Sequence, residues 1–240
     1  MLPKLLYFLE HGIGVDQLVV PSKTPAIVEA VEMLGLGGLP LYSVQEAMAL
    51  DFADVFVVDD FDLKGAMCAP SMSRLRALSA NRADSERIYI SRRLNAYKPL
   101  QRPLLNEAEI ERAVTSMGFR VVLPEGLRLR QQIALFAGAE FIVGPSGSGM
   151  LNTLFSTPGA KVLDIESFHS TVRQHARIYS SASHRYGFAF GKFDREDVRE
   201  PKHRRRWTVS VNLVTEGIER LQQIAGSQSA GSLHANAGLP

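Results

Sequence analysis

Short runs of branched apolar residues alternate along the chain with longer segments whose apolar positions recur every three or four residues, the rhythm of a parallel α/β protein. Strands are expected over residues 17–20, 40–43, 55–58, 87–91, 119–123, 140–143, 161–165 and 186–190. Helices are expected over 3–10, from Thr24 and Pro25 to Gly35, and over 71–79, 106–117, 127–137 and 169–181. Asn106 stands as the cap of the 106–117 helix, with Glu107, Glu109 and Glu111 near its positive end and Gly118 as its stop. The polar stretch 81–86 reads as a linker, so two Rossmann-like units join near residue 85. No internal repeat is visible beyond this βα rhythm.

Residues 141–152 read F-I-V-G-P-S-G-S-G-M-L-N, in which an apolar strand passes through a glycine- and serine-rich turn into a helix expected to start at Met150. Such a turn offers an anion the N–H groups of a helix start. Glycine at 144, 147 and 149 allows positive φ and close backbone approach, while Ser146 and Ser148 supply hydroxyl donors. A P-loop is excluded because Met150 and Leu151 follow Gly149 where Lys and Ser/Thr are required. The dinucleotide fingerprint lacks its third glycine, and the G-x-S-x-G elbow fails because Ser148 lies two residues after Ser146. A generic anion or sugar-phosphate site survives, beside the plainer reading of a structural turn.

Composition narrows the class. The 240 residues are 45% hydrophobic with a formal charge of +2, enough chain for one large domain or two small ones. A single cysteine, Cys68, excludes an internal disulfide framework and fits a reducing compartment. No run approaches the length of a membrane span, and the opening M-L-P-K-L-L carries no signal-peptide pattern, so a cytoplasmic location is expected. With 27 basic against 25 acidic residues and no basic stripe interleaved with aromatics, no nucleic-acid partner is expected.

Five runs then fall into a familiar order: Y-I-S-R-R at 89–93, R-P-L-L-N-E at 102–107, G-F-R-V-V-L-P-E at 118–125, residues 131–152 with the glycine turn, and P-G-A-K-V-L-D-I at 158–165. In sequence and spacing they resemble the catalytic region of glycosyltransferase family 61. The segment L-P-K-L-L-Y-F-L-E-H-G at 2–12 is similar to part of that family's N-terminal half, and W-T-V-S-V at 207–211 to its closing strand before a last helix. The resemblance implies a GT-B-like fold of two Rossmann-like units with parallel sheets. It also implies inverting transfer from a nucleotide-sugar donor to a glycan or lipid-linked acceptor, with no essential metal or cofactor. For bacterial members the setting is capsular, exopolysaccharide or lipopolysaccharide synthesis. Four parts are expected: a partial acceptor-side unit at 1–85, a nucleotide-sugar-binding unit at 86–192, a basic loop with closing strand and final helix at 193–225, and a disordered tail at 226–240. The family carries further sequence before the segment at which this chain opens, so the first unit is expected to be incomplete.

On this reading the donor phosphates fall to Arg92 and Arg93, after a strand end, and to Ser146, Gly147, Ser148, Gly149 and Asn152. Asp164 and Glu166 suit the vicinal diol of a ribose, and Asn106 with Glu107 matches the family's N-E pair. Each has a plainer account: solvated cations, a residue bonding backbone, strand-end carboxylates and a helix cap. No general base stands out, and the candidates are Glu10, His11, Asp59 and Asp60. Where the family carries histidine in a G-P-H-G-A-G-like turn, this chain has Ser146, which motivates a second reading as a catalytically weakened, nucleotide-sugar- or glycan-binding partner subunit. Asp60 and Asp62 form a D-x-D after an expected strand, the signature of a metal-dependent GT-A-like transferase and also of an ordinary acidic loop. The histidines show no metal-ligand spacing. Lys202, Arg204, Arg205 and Arg206 offer peripheral contact with an anionic membrane face, or form a solvated loop.

Overall fold

The computed structural model describes residues 5–6, 9, 11–57, 77–78, 85–93, 102–167, 172–201 and 204–224. At its centre five strands, β3 (Glu86–Ile90), β4 (Arg120–Val122), β5 (Ala139–Pro145), β6 (Lys161–Glu166) and β7 (Arg185–Phe190), form a sheet in the order β4-β3-β5-β6-β7. Every pairing in it is parallel. A parallel sheet must be covered on both faces, and β5 and β6 are accordingly buried along almost their whole length, Asp164 and Glu166 of β6 included.

One face, built on Tyr89, Phe141, Val143, Leu163 and Ile165, packs against α3 (Glu107–Ser116) and α6 (Val211–Gln223). The other, built on Ile88, Ile90, Ile142 and Val162, packs against α4 (Leu129–Ala137), a 3₁₀ helix (Ser148–Phe155) and α5 (Val172–Ser181). This is a Rossmann-like α/β arrangement wound on both sides.

The first part of the chain builds a smaller parallel pair, β1 (Leu18–Val20) with β2 (Leu41–Ser43), joined by α1 (Pro25–Met33) and followed by α2 (Val44–Ala47). Thr24 caps α1 and Pro25 opens it, as the sequence anticipates. From α1 the Glu29 carboxylate accepts the backbone N–H groups of Leu129 at 2.7 Å and Arg130 at 3.2 Å, placing negative charge at the start of α4. After β7 the chain turns through Gly191 into β8 (Lys192–Phe193), which pairs antiparallel with β9 (Trp207–Thr208).

Most expected elements stand within a residue or two of their places. Residues 55–57 are a correction: they join no sheet among the described residues, and Val55, Phe56 and Val57 are exposed. Branched composition alone does not make a strand without a ladder partner. Asn106 is another. It occupies the cap position of α3, but its amide donates to the Val209 carbonyl at 2.8 Å and accepts from the Val209 N–H at 3.3 Å, tying α3 to the closing segment. The expected helix at 150–155 is a 3₁₀ helix beginning at Ser148. The pair β8 and β9 is too short for periodicity to reveal β8. Most of the 71–79 helix and the whole 226–240 tail lie outside the described residues, as do Glu10, Asp59, Asp60, Asp62 and Lys202.

Candidate anion site at the sheet switch point

Within the large sheet the strands run 2-1-3-4-5 in order of sequence, so the chain leaves neighbouring strands β3 and β5 toward opposite sides. In open sheets of this kind ligands bind in the crevice outside the carboxyl ends of those two strands. Here the ends deliver Ser91 and Arg92 from β3 and Ser146 and Gly147 from β5.

Alternation carried past the end of β3 sends Ser91 and Arg92 to opposite faces. Ser91 turns toward α3, where its hydroxyl donates to Glu111 at 2.6 Å, and the exposed Arg93 joins it there with Nη2 at 3.2 Å from the same carboxylate. Arg93 therefore faces α3, whereas half-buried Arg92 reaches over the turn and donates from Nη1 to the Ser146 carbonyl at 2.9 Å. Its backbone is anchored as well, because its N–H donates to Glu107 Oε1 at 2.7 Å and Tyr89 donates its hydroxyl to the same oxygen at 3.4 Å. Glu107 thus holds the strand end from beneath, while the Asn106 amide is taken up by Val209.

Burial pushes the Glu107 carboxyl above the usual carboxylate range, partly opposed by the Arg92 N–H it accepts. A raised folded-state value means stability is greatest below the unfolded value and declines as pH rises through the folded one. Glu107→Gln keeps an acceptor for Arg92 and is expected to flatten that decline, leaving the fold intact. Glu107→Ala strands the two donors and is expected to cost about 1–3 kcal/mol. Urea unfolding between pH 4 and pH 8 checks both, and an unchanged slope in the Gln variant contradicts the assignment.

The glycines of the turn serve approach rather than unusual φ. None of Gly144, Gly147 and Gly149 is among the positive-φ glycines, and Gly147 is extended. A Cβ on Gly147 would stand 3.3 Å from Arg92 Nη1 and 3.7 Å from Arg102 Nη2, so two guanidinium groups border the space its missing side chain leaves. Burial, followed by the charge of Arg102, lowers the Arg92 pKa from its ordinary value. Ser148 is exposed at the first position of the 3₁₀ helix, while Gly149 is half-buried and packs near Ile90. Asn152 points elsewhere: its amide donates to Gln132 on α4 at 2.8 Å.

Beneath the turn lies a buried polar cluster. Asp164 is 0% exposed; its Oδ2 accepts the Tyr179 hydroxyl at 2.6 Å and lies 2.6 Å from His175 Nδ1. Ser146 Oγ lies 3.3 Å from the same nitrogen. Because serine and aspartate share one ring nitrogen, the trio lacks the opposed contacts of a hydrolytic triad. Burial and the Asp164 charge raise the Tyr179 phenol well above its usual value, keeping it a donor. Glu166, also 0% exposed, accepts the Ser167 hydroxyl at 3.2 Å and lies 4.0 Å from Arg102 Nη1. The two carboxylates expected to hold a ribose are thus closed off from solvent, and Asp164 Oδ1 has no hydrogen-bond partner among the described residues.

His11 lies in an exposed turn. In the basic run, Arg206 is committed to Asp197 through bonds of 2.9 and 3.0 Å, and Arg205 donates to the Glu200 carbonyl at 2.8 Å while lying over Phe193. Arg204 stays exposed. No group of three or more His, Cys, Asp or Glu side chains among the described residues could hold a metal, and no described helix is long and apolar enough to cross a membrane. A concavity of about 300 Å³ at the opposite sheet edge is lined in part by Leu127, Gln131, Leu135 and the paired Glu86 and Arg120. It faces the strand starts and holds no cluster of cations, so the arginine-lined edge is the better anion site.

Two residues of this site are missing from the sequence reading. Arg102 stood in plain view within R-P-L-L-N-E, but nothing local showed that its chain reversal returns it to the turn. His175 lies 29 positions from Ser146, and no spacing rule joins them.

No curated protein matches the chain. A family model described as Glycosyltransferase 61 matches residues 1–163, a span that takes in Arg92, Arg102 and the whole 144–149 turn and ends inside β6. The match also covers the opening segment at 2–12. Glycosyl transfer is the activity this family implies, and the chain belongs to glycosyltransferase family 61.

Proposed function

We propose that the chain transfers a sugar with inversion from a nucleotide-sugar donor to a glycan or lipid-linked acceptor in surface polysaccharide synthesis. It works without an essential metal and in the GT-B manner, at the cytoplasmic face of a membrane. The observation that carries the reading is the Arg92 fork, hydrogen-bonded at 2.9 Å to the Ser146 carbonyl beside Gly147 at the carboxyl edge of the parallel sheet. As the anomeric C–O bond breaks, the electron pair stays with the nucleoside diphosphate, whose growing negative charge needs fixed donors close by. Arg92, the Ser148 hydroxyl and the backbone of the turn supply them. The acceptor hydroxyl attacks the anomeric carbon from the opposite face and yields its proton to a base.

Ser146 favours one second reading. Its side chain is 3% exposed and turned inward to His175, so this position presents no side chain to the open face of the turn. A subunit that binds the donor without turning it over would look the same. Incubation with a panel of UDP-, GDP- and CMP-sugars plus glycan and polyprenyl-phosphate acceptors, in excess EDTA, separates the two. The enzyme reading expects one nucleotide to be released with transfer at a rate EDTA leaves unchanged. Binding without release favours the partner subunit, and turnover that EDTA abolishes contradicts the metal-free mechanism.

A further inference from the structure

We propose that Arg102 is the second arm of a two-arginine clamp that closes on the diphosphate of the ligand, making the site selective for two linked phosphates over one. This deepens the reading above and rests on it.

Three independent features of Arg102 converge. Its guanidinium borders the same space as that of Arg92: Nη2 of Arg102 and Nη1 of Arg92 lie 3.7 and 3.3 Å from where a Cβ on Gly147 would stand. Two like charges held this close beside one glycine repel each other, and an anion between them removes that repulsion. Forked donors also match phosphate oxygens two at a time, which a single ammonium does not.

The backbone is the second feature. Arg102 has φ 50°, one of only two non-glycine residues with positive φ among the described residues. Such a conformation persists where its surroundings over-determine it, and it gathers at functional sites. The restraint is Trp207 on β9, 1% exposed, whose indole N–H donates to the Arg102 carbonyl at 2.8 Å. Trp207 also donates its backbone N–H to Pro103 at 3.1 Å and accepts that of Leu105 at 2.9 Å, so the reversal at 102–105 is fastened on both sides.

Glu166 supplies the third. Its buried carboxylate lies 4.0 Å from Arg102 Nη1, a distance that orients the arm without giving it a short charge-assisted bond. A phosphate oxygen entering above Gly147 can make that shorter bond while Glu166 still backs the guanidinium from the protein side.

Titration of wild type, Arg102→Gln, Arg102→Lys and Trp207→Phe with UDP, GDP, UMP, GMP and inorganic pyrophosphate tests the clamp. In Arg102→Gln the affinity for the preferred nucleoside diphosphate is expected to fall about tenfold or more, against less than about threefold for the matching monophosphate. Arg102→Lys recovers part of the loss, and Trp207→Phe shows a smaller loss of the same diphosphate-selective kind. Equal losses for both phosphate classes, or no loss, overturn the clamp while leaving nucleotide binding at the turn intact. Wild type that takes up pyrophosphate in an Arg102-dependent way yet binds no nucleotide supports the clamp and overturns the nucleotide-sugar reading. Binding of none of these probes overturns both. Should Arg102→Gln fail to fold, Arg102→Lys decides: diphosphate affinity equal to wild type counts against the clamp.

Discussion

Arg92→Ala is expected to weaken nucleoside diphosphate binding by about ten- to hundredfold while leaving the fold close to its original stability. The loss follows from removing a forked, charge-assisted donor, worth about 1.5–3 kcal/mol where it meets a charged oxygen. The fold is spared because its anchor at this position is the backbone: Glu107 accepts the Arg92 N–H at 2.7 Å, a bond that does not depend on the side chain. Removing the guanidinium forfeits the 2.9 Å bond to the Ser146 carbonyl but also relieves the burial of a charge and its repulsion with Arg102, which together lower the Arg92 pKa. Arg92→Lys keeps the charge and loses the fork, so it should fall between wild type and alanine. Calorimetric titration with UDP and GDP, beside thermal unfolding of each apo variant, measures both halves. Full nucleotide affinity in Arg92→Ala would contradict the site.

The second large effect is one of stability. Gly144→Ala is expected to destabilise the chain by about 3 kcal/mol or more, since extra volume in a packed core forces backbone shifts. An added Cβ would stand 2.8 Å from Ile90 Cβ, 2.9 Å from the Ile90 carbonyl oxygen and 3.2 Å from Met150 Sδ. Part of that obstacle is main chain of the neighbouring strand, which no rotamer change moves aside. Because Ile90 directly precedes Ser91 and Arg92, the variant that does fold should also bind nucleotide poorly. Gly147→Ala makes the useful contrast. Its Cβ meets the far end of the Arg92 side chain, not main chain, at 3.3 Å, so it should spare stability and disturb the anion site alone. Urea unfolding of the two variants decides, and equal stability for both would show that the close approach of β5 to β3 is not a constraint.

How far the sequence could lead depends on where each contact is made. Strands and helices were readable wherever periodicity or a cap acts locally, as at Thr24 and Pro25, and so was the glycine turn after β5. The roles of its glycines were less so. Positive φ and close approach both call for glycine, and only the positions of Ile90 and Arg92 show that approach is the reason here. Asp164 and Glu166 illustrate the opposite limit: a carboxylate at a strand end looks available until α5 lays His175 and Tyr179 over one, and Ser167 and Arg102 flank the other. Asn106 shows why a good local rule can lose. A cap bond competes with any better-placed backbone, and the closing segment brings Val209 within 2.8 Å. Arg102 needed tertiary knowledge twice over, for the reversal that returns it to the turn and for the tryptophan 105 residues later that fastens it.

The most direct test of the donor site is backbone amide mapping by ¹⁵N–¹H correlation spectra during titration with UDP and GDP in excess EDTA. The account predicts saturable shifts for one of them, greatest at Gly147, Ser148 and Gly149 and accompanied by the side-chain Nε signals of Arg92 and Arg102. Shifts centred instead on Glu86, Arg120 and Gln131 at the opposite edge, or none with either nucleotide, would contradict it.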